Sequence, residues 1–252
     1  MHNTVIVRYG ELALKGLNRG SFEQQLVLNI KDCLKKNHIE FSAVKKVRGR
    51  IMVYSADDCK CLENVFGIVS ISPALETEAG METIKQEALK HYTAGTFRIS
   101  TQRIDKGISG SLDMNREIGQ YVVDNSGAKV SLKSPDVDIG VELFNKKAYV
   151  FNRTIKGPGG LPIGVTGTVA VLIEDQNAIK AAVMMMKRGC RIILVKKVPI
   201  DTKELEKYAY GFRIKEANDI PEEAEAVVTS ETLETLQKRD YSIPVLRPLI
   251  GE

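Results

Sequence analysis

Residues Thr168 to Cys190, "TVAVLIEDQNAIKAAVMMMKRGC", join an apolar strand, a short polar turn and an amphipathic helix. Nucleotide-binding α/β domains use that order to bring backbone N–H groups at a helix N-terminus against a phosphate. A phosphate-cradling turn needs glycines and small hydroxyl residues, whereas this one supplies Glu174, Asp175, Gln176 and Asn177. Asp175 or Asn177 suits an internal helix cap instead, satisfying the free N–H groups from within the chain. The four cysteines, Cys33, Cys59, Cys61 and Cys190, form no C-x-x-C pair, and with the three histidines they show no zinc-ligand spacing. No metal is therefore expected. The C-x-C of Cys59 and Cys61 offers a redox pair, but it lies in the helix-like "DDCKCLENVF", where thiols act as small hydrophobes. Cys190 opens an apolar strand, with only Lys187, Arg188 and Arg191 as nearby cations in sequence, and these are expected to face solvent.

The formal net charge of +4 is unevenly spread: Lys and Arg outnumber Asp and Glu over residues 1–56, and the rest of the chain is close to balance. Such asymmetry favours a partner carrying negative charge, with nucleic acid first, because no amphipathic anchor argues for a membrane. The longest apolar runs, such as "RIILV", are strand-length, far from the roughly 20 residues of a membrane span. The N-terminus enters a strand without a signal-peptide pattern, so a cytoplasmic protein without a membrane partner is expected.

At 252 residues with 43% hydrophobic content the chain can hold two or three compact domains. "TVIVRYG" alternates as a strand should. Phe22, Leu26, Ile30 and Leu34 mark a helix face behind Ser21 as N-cap; "SAVKKVRGRIMVYS" gives two strands, a helix follows at 57–65, and "GIVSISPAL" gives a last strand. That order is ferredoxin-like and ends near residue 76. A helix over 80–92, the strand "TFRISTQR", a helix through Met114, Ile118, Tyr121 and Val122 ended by Gly127, and the strands "VDIGVELF" and "KAYVFN" form a second unit. After the connection "KGPGGLPIGVTG", strand "TVAVLI", helix 177–188, strand "RIILV", helix "KELEKYA", strand "EAVVT", helix "ETLETLQK" and strand "IPVLRPLI" predict a parallel sheet with covering helices.

"RYGELALKGLNRGSFEQQL", "VFGIVSISPAL", "GPGGLPIG", "MMMKRG" and "IPVLRPLIG" resemble, in order and over essentially the whole chain, blocks of the tRNA 4-thiouridine synthetases, or tRNA sulfurtransferases. The resemblance implies a multidomain α/β and α+β fold. Residues 1–76 would form an N-terminal ferredoxin-like domain, 77–165 a THUMP domain and 166–252 a truncated, parallel-sheet α/β PP-loop-like domain. In the family the last domain adenylates a tRNA uridine with ATP, and a persulfide sulfur then displaces AMP. The family's Ser-Gly-Gly-x-Asp-Ser turn falls here on Ile173, Glu174, Asp175, Gln176, Asn177 and Ala178, and none of the defining residues is kept. A carboxylate about 4 Å from a phosphate charge costs roughly 4 kcal/mol at an effective dielectric of 20, near a thousandfold in affinity. The turn thus reads as a degenerate nucleotide loop. The stretch between "RIILV" and "AVVTSETLETL" is shortened, the family's persulfide-bearing cysteine has no counterpart there, and no catalytic residue and no cofactor are expected.

The resemblance keeps the RNA-binding half. Lys15 and Arg19 lie in "LKGLNRG"; Arg98, Arg103, Lys106 and Arg116 fall in the stretch resembling the THUMP segment that holds the acceptor tail; Lys156 precedes "GPGG". Arg98, between Phe97 and Ile99, should point to the opposite sheet face. The leading expectation is a tRNA-binding protein that docks the acceptor region by shape and phosphate contacts. The alternative is an active tRNA sulfurtransferase that works with a partner sulfurtransferase chain or an atypical nucleotide site and then requires ATP and Mg. A homodimer would cover an exposed sheet edge. An RNA methyltransferase sharing the THUMP module is disfavoured, since no glycine-rich nucleotide loop remains: the only glycines from Thr168 to Glu252 are Gly189, Gly211 and Gly251.

Overall fold

The structure, a computed structural model, describes residues 3–10, 19–47, 49–104 and 111–251. Its elements in chain order are β1 (Thr4–Tyr9), α1 (Arg19–Lys36), β2 (Ala43–Val47), β3 (Arg50–Tyr54), β4 (Ile68–Glu78), α2 (Met81–His91), β5 (Thr96–Arg103), α3 (Ser111–Ser126), β6 (Lys129–Val130), β7 (Val137–Phe144), β8 (Lys147–Phe151), β9 (Ile155–Lys156), β10 (Thr168–Ile173), α4 (Asn177–Lys187), β11 (Arg191–Lys196), β12 (Lys215–Ala217), β13 (Ala226–Val228) and β14 (Val245–Leu246). Single 3-10 turns occupy Lys60–Asn64 and Lys203–Tyr208. Among the described residues no helix is long and apolar enough to cross a membrane.

The chain divides into two compact units, the first made of Met1–Arg8, Ile39–Lys60 and Ser70–Lys156. Its strands form one sheet in the order β2-β3-β1-β4-β8-β7-β5-β6, with β9 beside β4. The β2-β3-β1-β4 portion has the ferredoxin-like strand order expected from sequence. β5 and β7 run parallel from the pair Phe97↔Val137 to Arg103↔Leu143. β7 returns as β8 through Asn145 and Lys146, both at positive φ, as a two-residue turn matching the right-handed twist of a hairpin requires. α3 stops where Gly127 takes φ +68° and its N–H bonds the Val123 carbonyl at 2.8 Å. Strict alternation in β5 and β7 sends Phe97, Ile99, Val137 and Ile139 into a core with Ile84, Ala88, Met114, Ile118 and Val122 of α2 and α3. Arg98, Ser100 and Gln102 are left to the other face.

The second unit, Tyr9–His38, Cys61–Val69 and Gly157–Glu252, holds the parallel sheet β12-β11-β10-β13-β14. β10 is its fully covered centre, as its unbroken apolar run requires. α4 lays Ala178, Ala181, Ala182, Met185 and Met186 against Val169, Val171 and Ile173. α1 hydrogen bonds the later chain: Lys36 Nζ donates to the Ala209 carbonyl at 2.7 Å, Asn29 Nδ2 to the Ile163 carbonyl at 3.1 Å, and the Gly211 N–H to Asp32 Oδ2 at 2.8 Å.

Several expected elements differ. "ETLETLQK" forms no helix; between β13 and β14 the chain is irregular, with Thr232 and Thr235 bonded to each other in a local turn. The helix expected over 57–65 shrinks to the 3-10 turn Lys60–Asn64, "KELEKYA" is likewise 3-10, and "IPVLRPLI" pairs only at Val245–Leu246. The short strands β6, β9 and β12 carry too few apolar residues to announce themselves.

Candidate functional site

In chain order the parallel sheet of the second unit reads three-two-one-four-five, so its strand order reverses between β10 and β13. Open α/β sheets bind ligands at the carboxyl ends of the strands beside that reversal. Here the place is taken by charged side chains of the chain itself. Glu174 directly follows β10, Glu231 lies just beyond β13, Arg247 follows β14, and Arg239 comes from the connection between β13 and β14. Arg239 holds Glu174 with both fork nitrogens, Nη1 to Oε1 at 2.9 Å and Nη2 to Oε2 at 2.7 Å, and donates Nε to Glu231 Oε1 at 2.6 Å. Arg247 Nε completes the chain to Glu231 Oε2 at 2.7 Å.

Two carboxylates thus meet two guanidiniums, with Glu231 only 5% exposed. Burial opposes the Glu231 charge, but the hydrogen bonds and charges of Arg239 and Arg247 outweigh it and hold the carboxyl below its ordinary pKa. Hydrogen bonding to Glu174 and then Glu231 raises that of Arg239.

The turn that precedes α4 is also satisfied internally. Asp175 Oδ1 accepts the Ala178 N–H at 3.2 Å, three residues on, as an N-cap does. The Ile179 N–H bonds the Gln176 carbonyl at 3.3 Å. Of the six positions, Ile173 and Ala178 are buried, Glu174 is clamped, and Asp175, Gln176 and Asn177 face solvent. Asn177 opens the helix and Gln176 holds its N-cap position without a side-chain bond; the side-chain bond to the first turn comes from Asp175, one residue earlier. Cys190 is buried, its Sγ 3.3 Å from Thr166 Oγ1, and burial pushes the thiol up, away from the thiolate a nucleophile needs.

The polar sheet face of the first unit gathers cations of a different character. Arg98 points away from the Phe97 core, as its alternation predicts, and pairs with Asp138 directly opposite on β7; Ser100 Oγ donates to the same carboxylate at 2.6 Å. Farther along, Arg8 Nε and Arg50 Nε share the buried Glu142, at 2.7 and 2.9 Å. Arg50 Nη2 reaches Gln102 at 3.0 Å, and Arg8 Nη1 reaches Ser72 Oγ at 2.9 Å. Two guanidiniums on one carboxylate leave a net positive charge. Burial lowers the Arg8 pKa, against the opposing pull of Glu142. Beside them lies a cavity of about 550 Å³ whose lining includes Arg8, the carboxylates Asp138 and Glu142, Ser100, Gln102 and Thr154.

Arg8 and Arg50 escaped the sequence reading. Their only signal is a cation interrupting or flanking an apolar strand, and their partner is 134 and 92 residues away. Arg19 heads α1 and bonds Glu23 at 2.6 Å, which also accepts the Tyr9 hydroxyl at 2.6 Å. Arg103 ends β5. Arg116 stands exposed on α3, 3.9 Å from Asp113, and α3 covers the apolar sheet face, so it does not join Arg98. Lys156 is exposed on β9. Lys15 and Lys106 lie outside the described residues.

Comparison with known proteins finds the ThiI ferredoxin-like domain over residues 4–72 and the THUMP domain over residues 78–152. A probable tRNA sulfurtransferase of Thermococcus kodakarensis is 37% identical over 235 residues, covering 84% of this chain and 62% of the relative. One from Mycoplasmopsis synoviae is 38% identical over 197 residues, covering 76% and 51%. The chain thus spans between about half and three-fifths of these curated relatives. Among solved structures, PH1313 from Pyrococcus horikoshii Ot3 superposes with TM-score 0.87 at 31% identity, over 99% of this chain and 95% of that one. A 4-thiouridine synthetase in complex with RNA and bound ATP superposes with TM-score 0.81 at 22% identity, over 100% and 82%, a likeness of fold.

Proposed function

Because the chain belongs to the tRNA sulfurtransferase family, with a ferredoxin-like domain followed by a THUMP domain, we propose that it is a cytoplasmic tRNA-binding protein whose own adenylation site is lost. In this reading the domains over residues 1–76 and 77–165 dock the acceptor region of tRNA, and residues 166–252 serve as a degenerate PP-loop-like scaffold. The observation that carries it is the Glu174–Arg239–Glu231–Arg247 chain, which puts protein charges at the strand-end crevice, beside a turn in which the Ala178 and Ile179 N–H groups are bonded internally. A triphosphate would meet two carboxylates there and would have to displace a bidentate guanidinium pair to enter.

RNA binding is supported by the THUMP match and by the net positive Arg8–Glu142–Arg50 cluster. Duplex RNA hides its base edges in a deep groove, so phosphate and shape contacts suit such a surface. We assign RNA-binding roles to Lys15, Arg19, Arg98, Arg103, Lys106, Arg116 and Lys156, with Arg8 and Arg50 added. A gel shift with total tRNA over a range of salt concentrations tests the reading: affinity should fall linearly on logarithmic axes as salt rises, and no shift at low salt rejects it. The names of the curated relatives favour a second reading, an active tRNA sulfurtransferase, which in this chain would work with a partner chain or an atypical nucleotide site. It predicts ATP-dependent tRNA adenylation once the cell's other proteins are added.

A further inference from the structure

We propose that the second unit carries its own RNA-phosphate site, formed where the "GPGG" connection, the C-terminal end of α4 and the segment after β14 converge. It deepens the tRNA-binding reading and rests on it. A cavity of about 610 Å³ lies there, lined by Gly160, Met184, Met185, Lys187, Arg188, Leu246, Arg247 and Pro248. Three of the sequence blocks quoted above meet in it although they lie far apart in the chain, and it is bounded by none of the six residues of the degenerate turn.

Its walls are fixed by close backbone contact. Gly160 takes φ +74°, and a side chain there would place Cβ 2.3 Å from the Lys187 carbonyl oxygen. The Leu161 N–H bonds that same carbonyl at 2.9 Å, and the Gly164 N–H bonds the Gly189 carbonyl at 2.7 Å. Methionine, leucine and proline side chains line it alongside the three cations, so apolar walls stand beside the charge, as in ligand sites where a few polar groups orient what the apolar lining holds.

Cations at a helix C-terminus often serve only to neutralise the last carbonyls. Those carbonyls are already occupied here. Met184 and Met185 accept the Arg188 N–H, Met186 accepts the Gly189 N–H, Lys187 accepts Leu161, and the Arg188 carbonyl accepts Thr166 Oγ1 at 3.1 Å. Lys187 and Arg188 are exposed, and among the described residues neither side chain has an ion-pair partner. Arg247 commits Nε to Glu231 and Nη2 to the Gln237 carbonyl, which leaves Nη1. The cavity therefore presents two uncompensated cations and part of a third, more than the fractional negative charge of the helix end offsets.

The test is the affinity of the full chain for labelled tRNA across salt concentrations, with Lys187→Glu/Arg188→Glu, the milder Lys187→Gln/Arg188→Gln, and a control reversal of two other exposed lysines, Lys203→Glu/Lys238→Glu. Each lost phosphate contact should flatten the logarithmic salt dependence by about 0.7–0.9. Both Lys187/Arg188 variants are expected to lose about 1.5 in slope, the charge reversal at least about tenfold in affinity, and the control neither. Variants that keep the wild-type slope and affinity, or a control that loses as much, overturn the site. If the wild-type chain binds no tRNA, the underlying reading fails instead.

Discussion

Arg239→Ala removes the guanidinium that ties the turn after β10 to the segment after β13, and its cost can be worked from the contacts. Three charge-assisted hydrogen bonds go, at 2.9, 2.7 and 2.6 Å. Breaking a fully buried pair costs about 3–5 kcal/mol because a charge is left behind, and an exposed pair about 0.2–1 kcal/mol. Arg239 is 17% exposed, Glu231 5% and Glu174 30%. Glu231 keeps Arg247, and Glu174 can turn to water, so the cost falls between these limits at about 2–3 kcal/mol. At about 2–4 °C per kcal/mol for a protein of this size, circular dichroism should record a melting temperature lower by about 4–12 °C. Glu174→Gln alone should cost about 1 kcal/mol, and the double variant less than the sum of the two by about 1 kcal/mol or more, since the residues share one interaction. A variant within about 0.5 kcal/mol of wild type, with additive effects in the cycle, would mean that the crevice is not held shut by these charges.

Other outcomes follow from the same site. Glu231 has a depressed pKa in the folded state, so its contribution to stability is full above the ordinary glutamate value of about 4.3 and is lost as pH falls through the lower folded value. Urea unfolding should show stability declining below about pH 5 in the wild type, and Glu231→Gln should remove part of that decline; an unchanged pH profile would contradict the assignment. Cys33 and Cys190 are buried with raised thiol pKa values, Cys33 by its hydrogen bond to Cys61 and by burial, Cys190 by burial. Peptide mapping after iodoacetamide treatment at neutral pH should find both unmodified in the native chain and modified after denaturation, whereas rapid native labelling of Cys190 would reopen it as a nucleophile.

The elements that sequence located well are those whose local pattern and tertiary role agree. β5 and β7 alternate because one face is packed under α2 and α3, and both appear where the pattern put them, Thr96–Arg103 and Val137–Phe144. "ETLETLQK" has helical composition, yet Leu233 and Leu236 stay exposed and the segment runs irregularly, with Glu231 and Arg239 at its two ends joined to each other and to Glu174 and Arg247. Tertiary ion pairing overrode propensity there. The lack of glycines in the turn was visible in the sequence, which offered Asp175 and Asn177 alike as capping residues; the structure gives the Ala178 N–H to Asp175. What closes the crevice was not visible, because the partner of Glu174 is 65 residues away and nothing local distinguishes Arg239 from a surface cation. Arg8 and Arg50 were missed for the same reason: β1 and β3 stand three and four strands from β7 in the sheet, and only the three-dimensional course of the chain brings them to Glu142.

Isothermal titration of the chain with Mg-ATP goes most directly to the central claim that protein charges have replaced the nucleotide. With Glu174 and Glu231 locked to Arg239 and Arg247, no saturable heat is expected up to millimolar nucleotide. Stoichiometric binding at micromolar concentration, abolished by substitutions in the turn between Ile173 and Ala178, would contradict it.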